Sequence, residues 1–314
     1  MRGEVMAKRN CGRTDRQDPP FVSGLQKRVT FLEVFDYIRQ GTCRYSSLEE
    51  NFVMETNMIA TRVIPILGHP VAQVATPALW NAVFAARGQD AVCVPIDLPP
   101  AGLPAFFEWV RMADNVPGFL TTIPHKAALA GICDELGEAA ALLGAANTVR
   151  KTANGGFAGE MFDGHGMLDA IAQTGAEIAK ADVVICGAGA AGSAIGVEVV
   201  RRGARLLSIL DRDPARAATL ARQLADLGGT TVTTGLPQRA DVLINASPAG
   251  SPGMAPPPFD APLIAAADCV ADALTDPAET ALLRQARALG RRVVRGTDMA
   301  AAQADRMRQF LGLG

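Results

Sequence analysis

The feature that most constrains this chain is the stretch VVICGAGAAGSAIG, residues 183 to 196. Val183, Val184 and Ile185 form a short apolar run suited to a buried parallel strand. Gly187, Gly189 and Gly192 follow as a G-x-G-x-x-G turn. Ala190, Ala191, Ser193 and Ala194 then open a helix that runs through Val197, Val199 and Val200 and stops at Gly203. Each glycine has a physical task. The first permits the tight turn, the second lets backbone approach a pyrophosphate, and the third lets helix and strand pack closely. The helix aims its free N–H groups and positive dipole end at that phosphate. A glycine-rich turn alone is weak evidence. Here it follows a strand, opens a helix, and is succeeded by a second strand, 206 to 210, ending at Asp211. That acid lies roughly 20 residues past the glycines, where a ribose-binding carboxylate is expected. The context predicts a dinucleotide site.

The bulk properties bound the rest. The chain has 314 residues, enough for one large or two ordinary domains. Hydrophobic residues make up 49% and charged residues 20%, a normal globular balance. The formal net charge of −2 points to no nucleic-acid or polyanion partner. Cys11, Cys43, Cys93, Cys133, Cys186 and Cys269 are scattered without a C-x-x-C pair. They read as reduced thiols of a cytoplasmic protein, not as a disulfide set or a zinc site. No apolar stretch is long enough to span a membrane. No metal is expected, and His69, His125 and His165 read as turn residues.

Residues 1 to 58 read as an N-terminal extension. Residues 1 to about 20 are polar and basic, and no apolar core follows that would make a secretory signal. An amphipathic helix is expected over 24 to 40. Either the segment is accessory, or the natural start is Met54 or Met58; the second is favoured.

Strands and helices then alternate. Residues 61 to 67 read as a strand, followed by a turn at Gly68-His69-Pro70 and a helix opening at Thr76-Pro77. Thr76 is either the N-cap of that helix or a hydroxyl for a substrate carboxylate drawn to the helix end. A strand over 91 to 98 and a helix from Leu103 to Met112 follow. Lys126 stands just past a strand and a turn, in Ile123-Pro124-His125-Lys126. It is either a solvated surface charge or, held in a cleft, a group able to trade protons. One helix is expected over 127 to 142. Asn147 is a turn residue or a ligand for a hydroxyl. Asp163 is the N-cap of the next helix, or it orients or accepts a proton from a reacting hydroxyl.

Taken together, these pieces resemble the shikimate/quinate dehydrogenase family, from about Arg62 to the C-terminus. The resemblance rests on Gly68-x-Pro70 with Thr76-Pro77 and Asn81; Ile123 to Lys126; Gly144 to Val149; Gly159-x-x-x-Asp163-x-x-Gly166; the glycine turn; and Asn245 to Gly250. Later come Asp272, Pro277, Thr280-x-Leu282-Leu283 and Gly296-x-x-Met299-x-x-x-Gln303. Order and spacing together make the match specific. It implies an α/β fold with an N-terminal substrate domain, 59 to 160, and a doubly wound Rossmann domain, 161 to 296. The last helix, 297 to 314, is expected to pack back on the substrate domain. It implies that Lys126 and Asp163 form the catalytic pair, and that Asn147 and Gln303 bind substrate hydroxyls. The partner implied is a small molecule, with no nucleic acid or membrane, on a monomer or homodimer.

The departures from the family pattern are instructive. The two hydroxyl residues that hold a substrate carboxylate fall on Val74 and Thr76, so one donor is missing. The polar run before Ile-Pro is Leu120-Thr121-Thr122, keeping only the last hydroxyl. The Asn-Thr before the aspartate is Met161-Phe162, and a tyrosine near the carboxylate falls on Thr275. A buried substrate hydroxyl left without a partner costs about 1–3 kcal/mol. The reading is therefore a shikimate or quinate dehydrogenase with an altered pocket. Its alternative is a related enzyme for another cyclic hydroxy acid or polyol.

In the second domain a helix is expected over 214 to 226 behind Asp213, and a strand over 241 to 244 leading to Asn245. A helix is expected over 277 to 289, capped by Asp276, and a final one over 298 to 311. The expected cofactor residues are Gly187, Gly189, Ala190, Ala191, Gly192, Asp211, Arg212, Asn245, Ala246, Ser247, Gly296 and Met299. Asp211 favours NAD, since a carboxylate repels a 2′-phosphate; Arg212 and Arg216 keep NADP open.

Overall fold

The computed structural model describes residues 61–251 and 253–314, all within one compact unit. The readings made for residues 1 to 58 lie outside the described residues.

The first sheet has six strands: β1 (Arg62–Gly68), β2 (Ala91–Asp97), β3 (Gly118–Thr121), β4 (Glu135–Leu136), β5 (Thr148–Lys151) and β6 (Phe157–Glu160), in the order β2-β1-β3-β5-β6-β4. β1 runs parallel to β2 and β3, whereas β5 is antiparallel to both β3 and β6. Its helices are α1 (Thr76–Arg87), α2 (Leu103–Met112), α3 (Lys126–Leu129) and α4 (Glu138–Leu143). Alternate residues of each strand face opposite layers, as the pleat requires. Ile64, Ile66 and Leu120 pack with Trp80 and Phe84 of α1, while Leu67 and Phe119 pack with Phe106 and Phe107 of α2.

The helix α5 (Asp163–Gln173) leads out of the first sheet. The second sheet comprises β7 (Asp182–Cys186), β8 (Leu206–Leu210), β9 (Thr231–Thr234), β10 (Val242–Asn245), β11 (Cys269–Asp272) and β12 (Arg292–Val294). All are parallel, in the order β12-β11-β10-β7-β8-β9. Its helices are α6 (Ala190–Arg201), α7 (Pro214–Ala225), α8 (Ala261–Ala266), α9 (Ala281–Ala288) and α10 (Gly296–Phe310). Val183, Ile185, Val242 and Ile244 face the layer of α5, α6 and α7, whereas Val184, Leu243 and Val270 face α8 and α9. Both faces are covered, so the central strands β7, β10 and β11 are largely apolar, while the edge strand β9 (TVTT) is mostly exposed. Strand order reverses between β7 and β10, which creates a switch point above their carboxyl ends.

α10 ties the two sheets together. Met299 belongs to the core of the second sheet, while Ala304 and Met307 belong to the core containing α1. Beyond it, Arg62 donates to Gly312 O at 3.1 Å and Gln89 to Leu313 O at 3.2 Å.

Several local expectations are corrected. The segment expected as one helix over 127 to 142 is broken. α3 ends at Leu129, β4 pairs with β6, and α4 begins at Glu138 behind Gly137. The pairing of Glu135 and Leu136 with Ala158 and Gly159 overrides helical periodicity there. Thr76 is not a cap: Ala75 holds that position without a side-chain bond, and Thr76 is the first helical residue. Asp276 does not cap a helix from 277; α9 starts at Ala281, and Thr280 caps it by accepting from Leu283 N. β9 appears where no strand was assigned. His69 and His125 do lie at turns, where His69 Nδ1 lies 2.6 Å from Asp97 Oδ1 and His125 Nε2 donates to Leu98 O at 2.8 Å, but His165, also read as a turn residue, lies within α5. Among the described residues no helix is long and apolar enough to cross a membrane.

Candidate active site

The Lys126–Asp163 end of the candidate site is built from four elements. β3 ends at Thr121, and the turn through Pro124 delivers Lys126 as the first residue of α3. β6 ends at Glu160, and Asp163 is the first residue of α5. Asp163 does not cap that helix: Phe162 stands at the cap position, and no side-chain capping bond forms. Its carboxylate turns toward the first sheet instead. Lys126 Nζ donates to Asp163 Oδ2 at 2.5 Å, with the side chains 14% and 3% exposed. Asn147, just before β5, donates through Nδ2 to Asp163 Oδ1 at 2.8 Å and to Gln303 Oε1 on α10 at 3.3 Å.

Asn147 is itself held. Its Oδ1 accepts from Thr148 Oγ1 at 3.0 Å and from Phe162 N at 3.1 Å. All four of these polar groups are buried or half-buried, so their mutual bonds matter more than they would in water. Two glycines allow the close packing that sets this geometry. A Cβ on Gly164 would lie 2.2 Å from Ala194 O of α6. A Cβ on Gly166 would lie 2.7 Å from Met299 O and 2.9 Å from Gln303 Cβ. α5 is thereby pressed between α6 and α10, which brings Gln303 to Asn147. The orienting hydroxyl of Thr148 was not singled out from sequence; a threonine after an asparagine carries no signal without the sheet register.

The residues expected to meet the far end of a substrate fare differently. Thr275 Oγ1 donates to Gln73 O at 3.0 Å, which joins a loop of the second sheet to the loop that carries Val74 and leads into α1 at Thr76. Val74 packs beside the α1 core, and Thr76 and Thr122 are half-buried. Leu120 and Met161, expected to alter the pocket, lie in the cores at 1% exposure each and present no surface to a ligand. Phe162 stays half-buried and packs edge-on against Phe310.

The glycine turn sits at the end of β7. Gly187 has φ +115°, and a Cβ there would lie 2.6 Å from Ala246 O. A Cβ on Gly192 would lie 1.8 Å from Gly187 O. At Gly189 the nearest atom to such a Cβ is Arg216 Nη2 at 3.9 Å, so the middle of the turn is open to a ligand. Ala190 and Ala191 begin α6 with no side-chain cap, leaving first-turn N–H groups free for an anion. Asp211, at the end of β8, accepts from Ala188 N at 2.7 Å and from Asp213 N at 2.9 Å. Burial raises its carboxyl pKa, but these two N–H bonds and then the charges of Arg216 and Arg212 outweigh it, leaving it below the usual value. Arg216 Nη2 donates to Ala188 O at 3.2 Å, while Arg212 is exposed. The donor set and the open turn fit a dinucleotide. At the end of β10, Asn245 Oδ1 accepts from Ser247 N and Oγ, and Ala246 backs the glycine turn. Gly296 opens α10 where a Cβ would lie 2.3 Å from Leu274 O, and Met299 packs in the core.

A doubly wound parallel sheet with this turn, joined to a second α/β layer carrying a Lys–Asp pair, defines an NAD(P)-dependent oxidoreductase. Comparison with known proteins agrees. A family profile described as the shikimate dehydrogenase substrate binding domain matches residues 66–149. The shikimate dehydrogenase (NADP(+)) of Rubrobacter xylanophilus is 37% identical over 243 residues, covering 75% of this chain and 85% of that protein. The structure of quinate dehydrogenase from Corynebacterium glutamicum in complex with NAD aligns with a TM-score of 0.71 at 30% identity, over 81% of this chain and 95% of that one. The ligand-free 5-ketofructose reductase of Gluconobacter sp. strain CHM43 aligns with a TM-score of 0.69 at 29% identity, over 81% and 93%. The chain belongs to the shikimate dehydrogenase family.

Proposed function

We propose that this protein interconverts shikimate or quinate and the 3-dehydro form by hydride transfer, with Lys126 and Asp163 as the proton-transfer pair. The observation that carries this reading is the 2.5 Å contact between Lys126 Nζ and Asp163 Oδ2, buried at the meeting of the two sheets. A bound nicotinamide supplies the hydride acceptor or donor. In alcohol oxidation the neutral amine of Lys126 takes the hydroxyl proton and becomes an ammonium, and in reduction that ammonium returns the proton to the carbonyl oxygen. Asp163 Oδ2 accepts a hydrogen bond from Nζ and so fixes its direction. Asn147 holds Asp163 Oδ1 and leaves Oδ2 to the lysine. In this reading Asn147 and Gln303 bind the substrate's other hydroxyls. In this reading residues 59 to 160 form the substrate domain, 161 to 296 the cofactor domain, and 297 to 314 a helix that closes on the first.

The cofactor is NAD in this reading. Both Asp211 oxygens are engaged by backbone N–H groups, and the carboxylate stays ionised where a 2′-phosphate would lie. Arg212 and Arg216 leave NADP as the weaker alternative.

A second reading has its own support. Val74 offers no hydroxyl, and the Thr275 hydroxyl is engaged by Gln73 O, so few donors remain for a substrate carboxylate. The likeness to a 5-ketofructose reductase favours a polyol or another cyclic hydroxy acid. Rates of NAD and NADP reduction with shikimate, quinate and a panel of polyols separate the two. A micromolar Michaelis constant for shikimate with full turnover removes the second reading. Turnover of polyols alone removes the first.

A further inference from the structure

Asp272 is a charged group at the last residue of β11 that the chemistry above does not use. It is 0% exposed. A buried carboxylate is costly unless hydrogen bonds compensate it. Here three donors converge. Asn245 Nδ2 reaches Oδ1 at 3.1 Å, Leu274 N reaches the same oxygen at 3.1 Å, and Thr280 Oγ1 reaches Oδ2 at 2.7 Å. Burial raises the carboxyl pKa, and the bonds from Thr280, Leu274 and Asn245 oppose that rise.

What these donors belong to gives the cluster its meaning. Asn245 begins the segment that backs the glycine turn, and its amide also donates to Ala249 O at 2.9 Å. Ser247 bonds back to Asn245 Oδ1, and Ala249 N donates to Ser247 Oγ at 3.2 Å, so residues 245 to 249 form one braced loop. Leu274 begins the segment whose next residue, Thr275, bonds Gln73 O on the far side of the cleft. Leu274 O also abuts Gly296 at the start of α10. One carboxylate therefore fixes two loops at the ends of β10 and β11. Both lie on the opposite side of β7 from β8 and Asp211. In a doubly wound sheet a dinucleotide lies across that switch point. With Asp211 at the ribose of the adenosine half, these loops fall to the nicotinamide half.

We propose that Asp272 is a positioning residue for the nicotinamide half of the cofactor. Through Asn245 and Leu274 it sets the two loops that receive the reactive ring and border the substrate-side loop at Gln73, and Thr280 locks its orientation. The inference rests on the dinucleotide assignment, and not on the identity of the substrate or the role of Lys126.

The test compares two ligands on the whole protein. One is the reduced dinucleotide, followed by nicotinamide fluorescence. The other is the matching ADP-ribose, which lacks the nicotinamide, followed by calorimetry. In Asp272→Ala three buried donors lose their acceptor, and affinity for the reduced dinucleotide should fall at least about tenfold, while that for ADP-ribose changes less than about twofold. Asp272→Asn keeps an acceptor for Asn245 and Leu274 and should recover most of the loss. Thr280→Val, which removes one donor to Asp272 together with the cap acceptor for Leu283 N, should weaken the dinucleotide about threefold with ADP-ribose again spared, and it decides the matter if Asp272→Ala does not fold. Parallel weakening of both ligands means a purely structural role and overturns the proposal. So does unchanged affinity for both. A wild-type protein that binds both ligands but oxidises none of the tested alcohols fails the substrate reading alone and leaves this test intact.

Discussion

The two ends of the candidate site are built from different materials. At the Lys126–Asp163 end, side chains form the site: Lys126, Asp163, Asn147, Thr148 and Gln303 are linked into one network drawn from α3, α5, α10 and the Asn147–Thr148 step into β5. At the cofactor end the main chain does most of it. Gly187, Gly189, Gly192 and the first turn of α6 present backbone, with Asp211 and Asn245 as the principal side chains. The difference follows from what each end must handle. A phosphate is large, charged and satisfied by N–H groups that every residue carries. A proton must be moved by one titratable group at one atom, so its partners have to be specified individually.

The contrast predicts separable failures. Lys126→Ala should produce the largest one: kcat falls by roughly a thousandfold or more, while the dissociation constant for NADH stays within about twofold. Stopped-flow turnover and fluorescence titration measure the two quantities, and a parallel loss of NADH binding would break the contrast. Gly192→Ala should do the reverse. Its new Cβ would meet Gly187 O at 1.8 Å, a backbone atom that cannot yield cheaply. Dinucleotide affinity should drop by about a hundredfold, with the Lys126–Asp163 contact unchanged in a crystal structure.

Smaller effects sharpen the picture. Gln303→Ala leaves Asn147 bound to Asp163 and Phe162, so it should raise the Michaelis constant of the substrate about tenfold with kcat nearly preserved. A fall in kcat alone would mean that Gln303 instead tunes the pair. Asp211→Asn removes the ionised carboxylate proposed to meet the ribose. The ratio of kcat/KM for NAD over NADP should fall by roughly tenfold in favour of NADP. Equal efficiencies with both cofactors before and after the change would refute the preference. This last effect is limited because Arg212 and Arg216 already offset part of the repulsion.

The cofactor end was readable in the sequence because its requirements are local. Strand, turn and helix lie within about twenty consecutive residues, and each glycine's reason concerns atoms nearby in the chain or directly across one strand. The helix over 127 to 142 was misread for the opposite reason. Its composition is helical, but β4 pairs with β6, more than twenty residues downstream, and that pairing wins. Asp163 and Thr76 illustrate the same limit. Both sit at helix starts where capping is the ordinary expectation, yet neither caps. For Asp163, a lysine 37 residues away offers a stronger, buried partner.

The amino-acid order alone determined the class: parallel α/β layers, a dinucleotide turn after β7, an acid after β8, and the residue types from which a proton-transfer pair could be drawn. These follow from short-range periodicity and from glycine sterics. Tertiary structure alone decided which side chains meet. The Lys126–Asp163–Asn147–Gln303 network joins residues up to 156 positions apart, and Asp272 gathers Asn245 and Thr280 from different elements. Such contacts depend on sheet register and on how closely α5 approaches α6 and α10 at Gly164 and Gly166. That closeness comes from packing of the whole unit, and no local window of sequence contains it.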